Sequence, residues 1–471
     1  MPPRDDVFDL AIVGGGSAGF AAAIKAADLG ARVAMVEGGT IGGTCVNVGC
    51  VPSKTLIRAA HALHQRVHHG FLGIPSSDGL PDWAAVRAQK DELVARLRTA
   101  KYRDVLKSYA AVTLFEQRAT LLAGPRVALA DGRVLQARKI VIATGASPWA
   151  APIPGLAEAG YLDNASAMAL EALPASLIVI GGSAVGLELA QMFARLGVGV
   201  TVMETLPRIA ASEDAAVGDA LRGYLVAEGI AIHTGVQIAN VRRGADGFAV
   251  TYTRGGTPAT LRGEQLLVAT GRRANTSGYG LDAAGVALGP KGEVAVNEFL
   301  QTTHPDIYAA GDVTGDPMFV YVAAYAGALA AENALQGNVR ARDLSALPRV
   351  TFTDPAIASV GLTEAQARAA GVEPLVATLP LEHVPRALAA RDTRGFVRLL
   401  ADATTRQIIG AHVLAAEAGE MIMEPALAIR HGLTIEDLGS AFHPYLTLGE
   451  GIKLAAQTFD KNVAKLSCCA A

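Results

Sequence analysis

Two stretches of the chain share one hydrophobic rhythm. A short apolar run meets a cluster of glycines, an Ala-rich segment with apolar positions at helical spacing follows, and a second apolar run closes the pattern. The first stretch runs from Phe8 to Val36 and the second from Ser176 to Met203. Short continuous apolar runs read as strands buried on both faces, and the periodic segment between them as a helix lying on the sheet. Each stretch therefore predicts a strand–helix–strand unit of a parallel sheet. Each is followed by a strand ending in Ala-Thr-Gly, at Val141-Ile142-Ala143-Thr144-Gly145 and at Leu267-Val268-Ala269-Thr270-Gly271, so the repeat spans whole domains. Pro148, Pro152 and Pro154-Gly155 break the chain between the copies, and Pro348 marks another break, giving boundaries near 150, 272 and 345.

The glycine clusters give the repeat a chemistry. Gly14-Gly15-Gly16-Ser17-Ala18-Gly19 sits between strand and helix, and the next strand ends at Glu37. Gly14 allows the tight turn, Gly16 lets a pyrophosphate approach the backbone, Gly19 permits close helix packing, and the helix N-terminus attracts the negative charge. Glu37 is placed to hydrogen-bond the ribose hydroxyls of an adenosine half. The second copy, Gly181-Gly182-Ser183-Ala184-Val185-Gly186, carries Ser183 at the middle position, and its strand ends at Glu204. An acid there suits a free 2′-hydroxyl, as in NADH, although Arg208 lies four residues on. The competing reading of Glu204 is a solvated carboxylate at a strand end. The predicted fold class is α/β, with two Rossmann-like nucleotide-binding domains followed by a smaller α+β domain.

At 471 residues the chain is long enough for several cores. Charged residues make up 18%, below the roughly 25% usual for soluble proteins, which favours large buried sheets and a buried subunit interface. A net charge of -3 offers no basic excess for a nucleic-acid partner. The start runs directly into a strand, and the longest weakly polar stretch, Met318 to Ala331, is shorter than the roughly 18 apolar residues of a membrane span. A cytoplasmic protein without a membrane partner is expected. Four cysteines, clustered as Cys45/Cys50 and Cys468/Cys469, suggest chemistry more than a disulfide scaffold.

The first pair lies in Gly39-Thr40-Ile41-Gly42-Gly43-Thr44-Cys45-Val46-Asn47-Val48-Gly49-Cys50-Val51-Pro52-Ser53-Lys54. A redox pair, a structural disulfide and a zinc half-site are all open to such spacing. With these motifs in place, the whole chain resembles the FAD/NAD(P) disulfide oxidoreductases, the family of glutathione reductase and dihydrolipoamide dehydrogenase. The resemblance implies an FAD-binding domain at 1–150 and 272–345, an NAD(P)-binding domain at 151–271 and a dimerisation domain at 346–471. It implies reduced nicotinamide, NADPH by the family's habit, passing hydride to FAD, whose electrons open the cysteine pair. Cys50 would be the charge-transfer thiolate and Cys45 the interchange thiol. Lys54 would sit near the flavin and pair with Glu188, and Asp312 would meet the ribityl chain. Gly43, Thr44, Thr144 and Gly145 would also contact FAD, and Gly271 the nicotinamide coenzyme.

The far end departs from the family's disulfide reductases. These carry His-Pro-Thr with a Glu five residues after the His, whereas His443-Pro444-Tyr445-Leu446-Thr447-Leu448 has Tyr445 for Thr and Leu448 for the acid, and Glu450 comes two positions late. His443 is therefore expected to lack an orienting carboxylate and to serve organic disulfides poorly. The alternative is a core histidine. The chain ends Ser467-Cys468-Cys469-Ala470-Ala471. Adjacent thiols on a chain end suit capture of a soft cation, with a vicinal disulfide as the other reading. Together these features resemble the mercuric-ion-reducing branch of the family. That resemblance implies Hg(II)–thiol complexes as substrate in a homodimer with its sites at the subunit interface. Cys468 and Cys469 of one subunit would hand Hg(II) to Cys45 and Cys50 of the other, with Tyr445 and Tyr161 lining the site. With the FAD strand beginning at Phe8, the separate N-terminal metal-binding domain of many members is expected to be absent.

Overall fold

The computed structural model describes residues 7–77 and 79–463. Cys468 and Cys469 lie outside the described residues. The chain divides into two compact units. The first takes in the described residues up to Thr55, Arg87–Ala150 and Gly271–Asp343, and the second Leu56–Val86, Ala151–Thr270 and the described residues from Leu344 onward.

The first unit is built on a seven-stranded sheet. Strands Val112–Phe115, Val33–Val36, Val7–Val13, Val134–Ile142 and Ile307–Ala309 run parallel in that order, and Arg126–Leu129 and Ala119–Leu122 extend Val134–Ile142 in antiparallel fashion. Leu10 and Ile12 pack into one layer with Met35 and Phe20, while Phe8, Ala11 and Val13 pack into the opposite layer with Val36 and Leu121. A strand covered on both faces needs an apolar residue at every position, which is why the sequence shows a run and not an alternation. Helix Ser17–Asp28 lies against helix Val320–Gln336. A Cβ on Gly327 would sit 2.0 Å from the Ala18 carbonyl oxygen, so the helices touch backbone to backbone. The small residues Ala18 and Gly327 permit that approach. Among the described residues no helix is long and apolar enough to cross a membrane.

The second unit contains the repeat. Strands Ala231–Thr234, Gly199–Glu204, Ser176–Ile180 and Gln265–Val268 form a parallel sheet, and Val236–Gly244, Gly247–Arg254 and Thr257–Gly263 an antiparallel one. Farther along, Arg349–Thr351, Ala356–Gly361, Ile408–Ala415, Phe396–Asp402 and Pro374–Pro380 make a five-stranded antiparallel sheet. Ala358, Val360, Val397, Leu399, Ala411 and Val413 share a core with helices Met423–His431 and Glu450–Gln457. This is the α/β class with two parallel nucleotide-type sheets and a C-terminal α+β portion, as the sequence predicts.

One buried ionic cluster ties helix Ala184–Arg195 to the loop before Ala356. The Arg195 side chain is 4% exposed and reaches Glu228 at 2.7 Å and Asp354 at 2.8 Å, and Arg394 adds a contact to Asp354 at 3.0 Å. Buried charges persist only when paired and hydrogen-bonded. These partners satisfy one another, and they hold the Asp354 carboxyl well below its ordinary range against the opposing effect of burial.

Candidate active site

The first fingerprint is shaped to admit a pyrophosphate. Gly14 has φ +116°, and a Cβ there would meet the Ala143 carbonyl oxygen at 2.2 Å. A Cβ on Gly19 would lie 1.8 Å from the Gly14 carbonyl oxygen. Gly16 is different: its nearest neighbour would be Gly43 Cα at 3.6 Å, leaving open space in front of a helix N-terminus that has no side-chain cap. The glycine pattern thus separates two packing positions from one approach position. Glu37 is fixed by the backbone, its Oε2 accepting from Gly15 N and its Oε1 from Gly39 N, both at 2.6 Å. Thr144 and Asn275 bond reciprocally, Oγ1 to Asn275 O at 2.7 Å and Asn275 Nδ2 to Thr144 O at 2.9 Å, and Gly145 turns the chain at φ +71°. Asp312 opens a short 3-10 turn, with Arg272 Nε at 3.9 Å. Burial raises the Asp312 carboxyl above its ordinary value, and Arg272 opposes the shift. Open backbone donors, a fixed ribose acceptor and a half-buried carboxylate fit FAD.

The dithiol lies in the same unit. Helix Gly43–Val48 carries Cys45, Gly49 interrupts the backbone, and Cys50 begins the helix Cys50–Gln65 that also carries Lys54. Gly49 is required by crowding, since a Cβ there would meet the Thr44 carbonyl oxygen at 2.9 Å. Asn47 braces the turn, donating to Ile41 O at 3.0 Å and Gly43 O at 2.8 Å while accepting from Arg98 Nε at 2.6 Å. Thr44 is exposed on this turn. Cys45 and Cys50 are present as two thiols. The Cys45 thiol is pushed far above its ordinary value, first by its hydrogen bond to Cys50 and then by burial, with Lys54 acting the other way. The proton therefore stays on Cys45 and is directed at Cys50. Among the described residues no group of three or more His, Cys, Asp or Glu could hold a metal ion. Two thiols remain, enough for a linear soft cation.

Sequence reasoning missed Tyr102. It lies in a π-helical turn, Thr99–Arg103, edge-on to Phe20 at 4.9 Å, and its ring would meet a Cβ on Gly42 at 3.3 Å. Burial and the nearby Cys45 raise its phenol, and a hydrogen bond to Ser17 opposes them. Tyr102 thus joins the pyrophosphate turn to the dithiol turn. A π-turn leaves no motif in the sequence that could have singled it out.

The second unit holds the remaining candidates. Gly181 has φ +117° and a Cβ on Gly186 would meet the Gly181 carbonyl oxygen at 1.9 Å, reproducing the first fingerprint. Ser183 stands exposed at the helix N-cap, and Glu204 closes its strand, buried. Arg208 is exposed on the loop beyond, and Gly271, at the junction in the first unit, has φ +138°. Glu188 is buried, with Oε1 accepting from Phe352 N at 2.9 Å. Tyr161 is 42% and Tyr445 57% exposed. His443 requires a correction. It does have an acid: its Nε2 faces the Glu424 carboxylate at 2.8 and 3.0 Å, while Nδ1 lies 3.2 Å from Ala441 O. Helix Met423–His431 supplies the carboxylate that Leu448 does not, from 19 residues upstream.

This geometry has a counterpart in known proteins. The model of the pyridine nucleotide-disulphide oxidoreductases matches residues 8–327, and that of their dimerisation domain matches 347–456. The chain belongs to the pyridine nucleotide-disulphide oxidoreductase family. It is 49% identical over 468 residues to a mercuric reductase of Streptomyces lividans, covering 98% of each chain. It is 45% identical to a mercuric reductase of Staphylococcus aureus, with 99% of this chain and 85% of that one covered. Among solved structures it resembles the HOCl-induced flavoprotein disulfide reductase RclA of Escherichia coli, with TM-score 0.85 and 28% identity over 95% of this chain and 99% of that one. LpdA of Mycobacterium tuberculosis is similar at TM-score 0.85 and 30% identity, with 96% of this chain and 99% of that one covered. The protein is thus an FAD-dependent oxidoreductase with a dimerisation domain, of a family whose mercuric reductases use FAD and NADPH.

Proposed function

We propose that this oxidoreductase reduces Hg(II) to Hg(0) with NAD(P)H. The observation that carries this reading is the likeness to a mercuric reductase along 98% of both chains. The vicinal-cysteine tail and the fixed dithiol support it. In this reading residues 1–150 and 272–345 bind FAD, 151–271 bind NAD(P)H and 346–471 form the dimer contact. FAD would supply two-electron transfer between the nicotinamide and the dithiol side of the site.

The protein's own groups do the rest. Cys468 and Cys469 of one subunit pass Hg(II) to Cys45 and Cys50 of the other by thiolate exchange, each new Hg–S bond replacing one to the tail. Cys45 gives up its proton as its sulfur binds. Two electrons from NAD(P)H then break both Hg–S bonds, leaving Hg(0), two thiolates, NAD(P)+ and a proton. Lys54 offsets negative charge near the dithiol. Tyr445 and Tyr161 line the approach, and their exposure in the single chain suits groups awaiting a partner surface. Phe442, Met423, Leu427 and Leu446, at 103%, 52%, 50% and 42% exposure, are apolar side chains of the kind that a second copy would cover. A homodimer in the cytoplasm follows from this reading.

Steady-state oxidation of NADH and of NADPH with Hg(II) in excess thiol, set against lipoamide and glutathione disulfide, tests the proposal. Mercury-dependent turnover with loss of volatile mercury is expected, and its absence overturns the reading. The His443–Glu424 pair favours a second reading, an organic disulfide oxidoreductase similar to dihydrolipoamide dehydrogenase, because it restores acid–base capacity to the histidine. Turnover of lipoamide exceeding that of Hg(II) would select it.

A further inference from the structure

The adenosine end of the second fingerprint is built around one carboxylate. Glu204 is 8% exposed and cannot swing aside. Its Oε2 accepts from Gly182 N at 2.7 Å, and its Oε1 accepts from Leu206 N at 2.8 Å and Thr205 Oγ1 at 3.2 Å. Gly182 closes the space behind it, where a Cβ would lie 3.0 Å from Glu204 Cβ and 3.1 Å from Oε2. The arrangement repeats that of Glu37 with Gly15 and Gly39 at the FAD fingerprint, where the adenosine ribose carries no phosphate.

An ionised carboxylate has about four acceptor positions and no donor. Both on Oε1 and one on Oε2 are used, so one remains on Oε2 for an incoming hydroxyl. A ribose 2′-hydroxyl can donate to it. A 2′-phosphate at neutral pH brings negative charge to a fixed negative group and has no proton to share. From Gly181 to Ala211 the basic side chains are Arg195 and Arg208. Arg195 is taken by Glu228 and Asp354, leaving Arg208, exposed on the loop, as the cation of this segment nearest in sequence to the acid.

We propose that Glu204 is a specificity-determining residue that makes this enzyme favour NADH over NADPH, unlike the coenzyme habit of its family. The inference rests on the second fingerprint being the nicotinamide-coenzyme site, and it is independent of mercury. The experiment uses the FAD-loaded enzyme without Hg(II). Calorimetry compares 5′-AMP with adenosine 2′,5′-bisphosphate, and anaerobic stopped-flow compares flavin reduction by NADH and NADPH. NADH should be favoured at least about tenfold, the ratio of one hydrogen bond to a charged group, and 5′-AMP should bind more tightly than the bisphosphate. E204Q should narrow both ratios by improving the phosphorylated ligands. Equal or tighter binding of the bisphosphate by the wild-type enzyme, or faster reduction by NADPH, overturns the proposal whatever E204Q does. Failure of mercury turnover alone would leave these two measurements intact and would bear on the substrate reading only.

Discussion

His64 provides a pH test of the second unit. Its ring lines a cavity of about 650 Å³ together with Arg195, Glu228 and Arg394, and it stacks on His68 at a centroid distance of 4.1 Å. Burial, then Arg195, lowers its pKa from 6.5 to about 4. Above pH 6.5 neither the folded nor the unfolded chain carries the proton. As pH falls below 6.5 the unfolded chain protonates and the folded chain does not until about 4, so stability is lost across that window. One pH unit corresponds to about 1.4 kcal/mol, so the full shift sets a ceiling of roughly 3 kcal/mol. The ring is only part-buried, and solvent screening reduces the expected contribution to about 1 kcal/mol. His64→Gln removes the titration. Urea unfolding of both proteins between pH 4 and 7.5, followed by fluorescence of the buried Trp83 in a Trp149→Phe background, should show the variant losing about 1 kcal/mol less than its parent on acidification. Parallel curves would refute the assignment.

Three further outcomes follow from the geometry. Gly19→Ala puts a methyl group 1.8 Å from the Gly14 carbonyl oxygen and should cost about 3 kcal/mol and most of the bound flavin, so a variant purified with full 450 nm absorbance would contradict the packing account. Cys50→Ala removes the largest influence raising the Cys45 thiol, so the pH midpoint of Cys45 alkylation should fall relative to the reduced wild type; a midpoint that stays or rises would show burial to be the stronger cause. Arg195→Met removes the more deeply buried of the two arginines that Glu228 and Asp354 share, leaving Arg394 alone to both, and should destabilise by about 3 kcal/mol; an unchanged urea midpoint would show the Arg195 contacts to be dispensable.

The parts of the fold that were readable in the sequence are those carried by short-range pattern. The fingerprints, the apolar strands and the dithiol turn each lie within a few tens of residues, and Gly14, Gly19 and Gly49 each answer to a local backbone contact. The carboxylate beside His443 was not readable in this way. Sequence spacing points to Leu448 and Glu450, but the contact comes from Glu424, on a helix whose relation to the loop is set by packing on the five-stranded sheet. Tyr102 was missed for a related reason, because an extra residue in a helical turn changes which side chain faces the dithiol without disturbing the hydrophobic period. Glu204 was read as either a ribose ligand or a solvated strand end, and its burial with three donors removes the second option.

The origin of the His443 partner bears on how freely this region can change. Where histidine and acid share one loop, any substitution between them alters both. Here the acid belongs to helix Met423–His431, so the segment from Pro444 to Leu448 is released from the task of holding the histidine. That segment carries Tyr445 and the left-handed Leu446 at φ +65°, and it can be rewritten while the His443–Glu424 contact stays intact. The surface of the loop and the anchoring of its histidine are thereby separable, open to change one at a time.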